Sequence, residues 1–299
     1  MNTKLHQKYY GVITPVLTPF HEDKSIDYPA LQKLINWLCI QQVNILFPMG
    51  GSGEFQTLTI QERKGIIDCV VETTGKRKMV FAGTGASSLI ETIELCQYAE
   101  KKGADGVGVV IPTDIPDDEE ALFNYYRAVD ADISIPFMVY DPRGEGSHSA
   151  SPRWMRRLID ELKNIVAIKY RTVNGEFMGA MAREIASDIS LFSGSESVYL
   201  QDLSVGAVGC VGGGGNFYPN LMWKLQENFE KGDILSARHI QYEILTALDV
   251  LNNVYWPLSG KIVLQELGIP YKLITRVEGR FFTEQDVEDI RIFYRAFLR

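Results

Sequence analysis

Along this chain, short apolar runs alternate with longer stretches in which apolar positions recur every three or four residues. The short runs are Gly11–Thr14, Ile45–Pro48, Met79–Ala82, Val107–Ile111, Phe137–Tyr140, Ile165–Lys169, Ser190–Ser193 and Ala207–Val211. Bounded by Gly and Pro and apolar on both faces, they predict parallel strands rather than strands with one wet face. Between them, Leu31, Leu34, Ile35 and Leu38 form a helical stripe behind Asp27. Thr59 with Glu62 and Ser88 with Glu91 fit capping boxes, and Ser151-Pro152 places Pro at a first helical position.

Strand followed by helix, repeated eight times at roughly 25–30 residues, predicts a (β/α)8 TIM barrel. The competing doubly wound sheet shows a glycine-rich phosphate loop after its first strand. Here Gly11–Thr14 runs instead into Pro15-Val16-Leu17-Thr18-Pro19-Phe20, and no complete GxGxxG or GxxxxGK[ST] occurs. After Lys231 the pattern is helical only, over 233–251, 257–267 and 283–297. The expected organisation is a barrel over 1–231 and a three-helix extension over 232–299, packed on the barrel without a Ser/Gly-rich linker.

With 299 residues, of which 45% are hydrophobic, the chain can bury a large core, and its 23% charged content is that of a globular protein. Thirty basic against 38 acidic residues leave a net charge of −8, which argues against nucleic acid or an anionic membrane as partner. Cys39, Cys69, Cys96 and Cys210 form no CxxC pair, and His6, His21, His148 and His239 have no metal-ligand spacing, so no metal is expected. Asp117-Asp118-Glu119-Glu120 reads as a helix start favoured by the dipole. No signal-like apolar stretch opens the sequence, and a cytoplasmic protein with reduced thiols is the expectation.

In a barrel, catalytic groups stand at the C-terminal strand ends. Lys169 ends an otherwise apolar strand, where desolvation lowers an amine toward the range in which it attacks a carbonyl and forms a Schiff base. The alternative is a lysine that snorkels outward. Arg171, two residues on, would depress Lys169 further and hold an anionic group. Tyr140, ending the neighbouring strand, is a phenol able to shuttle protons, or else a packing residue. Gly50–Glu54 offers backbone N–H groups and the Ser52 hydroxyl to a carboxylate, or is simply a tight turn. Gly212–Gly215 either lets backbone approach a ligand closely or needs positive φ.

These residues resemble the pyruvate-type Schiff-base lyases typified by dihydrodipicolinate synthase and N-acetylneuraminate lyase. Gly50-Gly51-Ser52-Gly53-Glu54 is similar to that family's G-x-[ST]-G-E loop, Tyr140-Asp141-x-Arg143 to its tyrosine motif, and Ala167-Ile168-Lys169 to its lysine motif, 29 residues beyond Tyr140. The resemblance runs the length of the chain. It implies that Lys169 forms the imine, Tyr140 shuttles protons, and Gly51 and Ser52 receive the carboxylate of a 2-oxo acid. It further implies a homo-oligomer, usually a tetramer, with no cofactor beyond the covalent lysine imine.

Departures from the family bear on the substrate. The synthase branch carries tyrosines after the strand-four proline, where this chain has Ile111-Pro112-Thr113-Asp114-Ile115, and two hydroxyl residues where this chain has Gly51 and Ser52. The sialate-lyase branch carries an acidic pair where Ser195, Glu196 and Ser197 follow Gly194, a serine at Gly213, and a threonine at Arg171. Glu196 remains to bind a hydroxyl, and Arg171 or Arg143 a distal anion. The run Gly50–Phe55 is closest to sugar-acid dehydratases and 2-keto-3-deoxy-sugar-acid aldolases. The reading is therefore a lyase, aldolase or dehydratase, acting on a 2-oxo, 3-deoxy sugar acid. The alternatives are a 4-hydroxy-tetrahydrodipicolinate synthase, or a catalytically silent ligand-binding relative.

Overall fold

A computed structural model describes residues 8–111, 115–116, 118–140, 151–279 and 282–298. Eight parallel strands close into a barrel in chain order: β1 (Gly11–Thr14), β2 (Ile45–Leu46), β3 (Met79–Gly83), β4 (Gly106–Val110), β5 (Phe137–Tyr140), β6 (Ile165–Tyr170), β7 (Ser190–Ser193) and β8 (Gly209–Val211). The ring shuts where Gly11, Val12 and Ile13 pair with Gly209, Cys210 and Val211. Eight helices follow the strands: α1 (Tyr28–Cys39), α2 (Ile60–Thr74), α3 (Leu89–Lys102), α4 (Glu119–Asp132), α5 (Pro152–Glu161), α6 (Gly175–Ile185), α7 (Tyr199–Val205) and α8 (Pro219–Glu230). The extension adds α9 (Ile234–Leu251), α10 (Leu258–Glu266) and α11 (Glu284–Phe293).

The strands fall within two residues of the sequence reading. β2 is shorter than Ile45–Pro48 because Pro48 has no N–H to donate and Met49 turns to φ 60°. Asp27 and Thr59 cap α1 and α2 as expected, the latter with the full reciprocal box from Glu62. At α3 only half the box forms. Ser88 accepts from Glu91 N–H, while the Glu91 carboxylate takes the hydroxyls of Ser87 and Ser88. Pro152 opens α5, but Ser151 makes no side-chain cap. Glu119 and Glu120 fill the first turn of α4 behind the Asp118 cap.

Two apolar layers result. Outside the strands, Val12, Leu46, Val107, Val139, Ile168 and Leu191 meet the helices; inside, Ile13, Ile45, Phe47, Phe81, Met138, Ala167 and Phe192 fill the barrel. β4 carries glycine inward because the aromatics need the room. A Cβ at Gly108 would lie 2.3 Å from the Phe47 ring, and one at Gly106 would lie 2.4 Å from Phe81. Large rings just after β2 and on β3 are thus matched by missing side chains on β4.

All four cysteines are buried and free, Cys39, Cys69 and Cys96 in helices and Cys210 in β8. Among the described residues no helix is long and apolar enough to cross a membrane. The extension is tied to the first two βα units: Tyr271 donates to the Leu17 carbonyl, in the loop after β1, at 2.9 Å, and Arg276 pairs with Glu62 of α2 at 2.5 Å.

Candidate active site

Strand periodicity places the two principal side chains. Met138 and Ala167 point into the barrel, and side chains repeat every second residue, so Tyr140 and Lys169 point inward one layer higher. The two are Cα partners across β5 and β6, and Lys169 Nζ stands 4.1 Å from the centroid of the Tyr140 ring. A cation over an aromatic face in this way is held without a carboxylate. Among the described residues Lys169 has no acidic partner.

Burial is the main cause that brings Lys169 down to about 8, and the Arg171 guanidinium adds to it, while Cys210 acts the other way. From the ordinary value of 10.5, that leaves roughly one lysine in ten neutral at pH 7 instead of roughly one in three thousand. The mouth of the barrel therefore holds a usable nucleophile near neutral pH.

A cavity of about 830 Å³ opens above this pair, and Gly51, Ser52, Tyr140, Lys169, Arg171, Glu196 and Gly213 all line it. Seven of the eight residues singled out from sequence therefore meet in one place; the eighth, Arg143, lies outside the described residues, as does His148. Arg171 follows the last residue of β6 and is exposed at the rim. Glu196 is buried, and burial raises its carboxyl above the usual range. Gly214 N–H at 2.8 Å and the Tyr218 hydroxyl, which also donates to it, oppose that rise.

The strand-two loop forms a short 3-10 turn over Gly51–Gly53, whose first internal bond runs from Gly53 N to Gly50 O at 3.0 Å. Gly51 and Ser52 are the first two residues of that turn, so their N–H groups have no partner within it. A Cβ at Gly51 would meet nothing within 4 Å. The turn ends with Glu54 in the left-handed region, φ 56°, which carries its side chain away from the cavity and into the extension. There Lys261 Nζ meets Glu54 Oε1 at 2.9 Å, and Thr275 Oγ1 meets Oε2 at 2.5 Å.

The strand-eight loop departs from the positive-φ reading, while Gly212, Gly213 and Gly214 line the cavity. None of Gly212–Gly215 has positive φ, and it is protein side chains that come close to them. A Cβ at Gly212 would lie 2.4 Å from Glu196 Cγ, and one at Gly213 would lie 2.4 Å from Trp256 Cζ2. Missing side chains here let Glu196 and Trp256 into the wall of the cavity.

Trp256, Tyr218, Lys261 and Arg63 are the residues that sequence reasoning missed. Arg63 is buried and donates to the Gly83 and Gly85 carbonyls at 2.9 and 2.8 Å, fixing the end of β3. Lys261 carries the one legible signal, a lysine inside the apolar run Leu258–Leu264, which demands a buried partner.

The dihydrodipicolinate synthetase family model matches residues 8–278. The chain belongs to the dihydrodipicolinate synthetase family. Among curated members, the 4-hydroxy-tetrahydrodipicolinate synthase of Archaeoglobus fulgidus is 33% identical over 261 residues, 87% of this chain and 89% of that protein. The protein of the same name from Endomicrobium trichonymphae is 32% identical over 262 residues, 87% and 89% of the two chains. The crystal structure of dihydrodipicolinate synthase from Aquifex aeolicus superposes with a TM-score of 0.89 at 27% identity, covering 97% of this chain and 98% of that one. A prophage protein of the family from E. coli K12, solved in complex with pyruvate, gives 0.89 at 25% identity, covering 97% and 99%. Family membership makes this chain a lyase of the aldolase type, with the TIM barrel and helical extension of its relatives.

Proposed function

We propose that Lys169 forms a Schiff base with a pyruvate-type 2-oxo acid and that the derived enamine attacks an aldehyde acceptor, as in a 4-hydroxy-tetrahydrodipicolinate synthase. The observation that carries this is the buried Lys169 amine, brought down to about 8, facing Tyr140 at the floor of the cavity. The name shared by the curated relatives favours this acceptor chemistry over the sugar-acid reading that the loop motif suggested.

The residues take the following parts. The neutral Lys169 amine attacks C2 of the 2-oxo acid, and the carbonyl oxygen leaves as water once protons reach it. The Tyr140 phenol, beside the amine, carries those protons and later removes one from C3 to give the enamine. Gly51 and Ser52 receive the C1 carboxylate through backbone N–H and hydroxyl donors. Arg171 at the rim holds the anionic end of the second substrate. Carbon–carbon bond formation, imine hydrolysis and release of product then restore the free lysine. The imine is the only covalent assistance this scheme needs, without metal or separate cofactor.

A second reading, cleavage or dehydration of a 3-deoxy-2-oxo sugar acid, is favoured by Glu196 and Gly51. Glu196 offers carboxylate oxygens to a substrate hydroxyl inside the cavity, and Gly51 leaves open the space that a hydroxyl residue would fill. Parallel assays separate the two. Turnover of pyruvate with aspartate semialdehyde supports the synthase reading. Pyruvate release or water loss from 3-deoxy-2-oxo sugar acids, with no condensation, supports the other.

A further inference from the structure

Ser52 is met by a residue from the far end of the chain. The indole Nε1 of Trp256, in the loop between α9 and α10, donates to Ser52 Oγ at 2.9 Å. A serine hydroxyl has one hydrogen and two acceptor positions, whereas an indole N–H only donates. The contact therefore fixes Ser52 as acceptor toward Trp256 and leaves its own hydrogen for another partner. Among the described residues, no protein group takes that hydrogen.

The ring is itself held firmly. The absent side chain of Gly213 admits Cζ2, and that of Gly260 admits Cη2, to which a Cβ there would come within 3.0 Å. Phe217 packs at 6.1 Å and 50°. Both Trp256 and Ser52 line the cavity that holds Lys169. A rigid donor thus orients a flexible hydroxyl at the place where a 2-oxo acid would put its carboxylate.

We propose that Trp256 is a positioning residue for carboxylate recognition: its N–H occupies one acceptor site of Ser52 and turns the Ser52 hydroxyl toward the C1 carboxylate of the 2-oxo acid. This rests on the Schiff-base reading of the site. It makes the C-terminal extension a working part of the substrate pocket, and it restricts the effect to ligands bearing a carboxylate beside the ketone. A hydrogen bond to a charged group, misdirected once Trp256 loses its N–H, predicts a loss of about tenfold in affinity.

The test uses Trp256→Phe, which keeps a ring and removes the donor, with Ser52→Ala and the double variant. Borohydride trapping is measured against pyruvate and against hydroxyacetone, a neutral ketone, with thermal unfolding as a check on folding. The expected result is about tenfold more pyruvate for half-maximal trapping in Trp256→Phe, no change with hydroxyacetone, and a double variant no worse than Ser52→Ala alone. Equal losses for both ketones, or losses that multiply in the double variant, would show a merely structural role and overturn the proposal. If the wild-type protein traps no ketone, the Schiff-base reading fails by itself. Calorimetric titration with pyruvate then decides the Trp256 role: weaker binding in Trp256→Phe supports it, and equal or undetectable binding in both proteins overturns it.

Discussion

Lys261 Nζ lies 2.9 Å from Glu54 Oε1, and both side chains are sealed from solvent although 207 residues separate them. Burial pulls the Lys261 amine below its ordinary value, and Glu54 opposes that. The pair joins α10 to the loop that carries Ser52, so it secures both the extension and the cavity wall. Removing one partner of a buried pair leaves an uncompensated charge and costs about 3–5 kcal/mol. Urea unfolding of Lys261→Met and Glu54→Gln should each show a loss of this order. The double variant should recover part of it, because no lone charge remains. Additive losses would contradict the pairing.

Lys169 sets the pH dependence of imine formation. Its amine is brought down to about 8, by burial first and then by Arg171. The neutral fraction, and with it the trapping rate under subsaturating pyruvate, should rise about tenfold per pH unit below pH 8 and level off above. Arg171→Ala removes one of the causes of lowering, so the midpoint should move upward. A midpoint near 10 in the wild-type protein would show that the amine is solvated.

The same burial makes Lys169 a burden on the fold. A folded value below the unfolded one means that the unfolded chain binds more protons between pH 8 and 10.5, so stability rises across that window. Below pH 8 the full penalty, about 3 kcal/mol, is present. Lys169→Met should therefore unfold at higher urea concentration than the wild-type protein at pH 7. Equal midpoints would remove the basis for a perturbed lysine.

Asp202 gives the opposite sign. Buried behind β7, it accepts from Ser193 Oγ at 2.5 Å, its Oδ1 has no hydrogen-bond partner, and burial raises it to about 6. The folded state then binds the proton more tightly, so stability falls as pH rises from about 4 to 6 and stays low above. Asp202→Asn should be more stable than wild type by about 1–3 kcal/mol at pH 8 and show no advantage at pH 4. A gain of the same size at both pH values would point to packing instead.

Gly51 should accept a side chain. Because a Cβ there meets nothing within 4 Å and the residue is outside the positive-φ region, Gly51→Ser should leave stability within about 1 kcal/mol. Thermal unfolding checks this directly, and a larger loss would mean that the cavity is closed at this point.

The barrel was legible because strands buried on both faces leave unbroken apolar runs, and their ends point to the chemistry. Tyr140 and Lys169 could be paired from chain order alone, since sequential strands of a parallel barrel are neighbours. β4 begins one residue earlier than the sequence predicts because its inward glycines carry no apolar signal, their cause being Phe47 after β2 and Phe81 on β3. At 212–215 only the positive-φ option fails, since the close neighbours of Gly212 and Gly213 are Glu196 and Trp256. Trp256 was invisible as a site residue, because nothing local marks an indole whose partner is 204 positions away. What was missed consists of contacts made by tertiary packing, whereas what was found rests on periodicity and strand ends.

A working imine at Lys169 is tested by mass spectrometry after borohydride reduction with pyruvate. One pyruvate-derived adduct per chain is expected, mapped by peptide analysis to Lys169 and absent from Lys169→Ala. An adduct on another lysine, or an equal yield in Lys169→Ala, would contradict it.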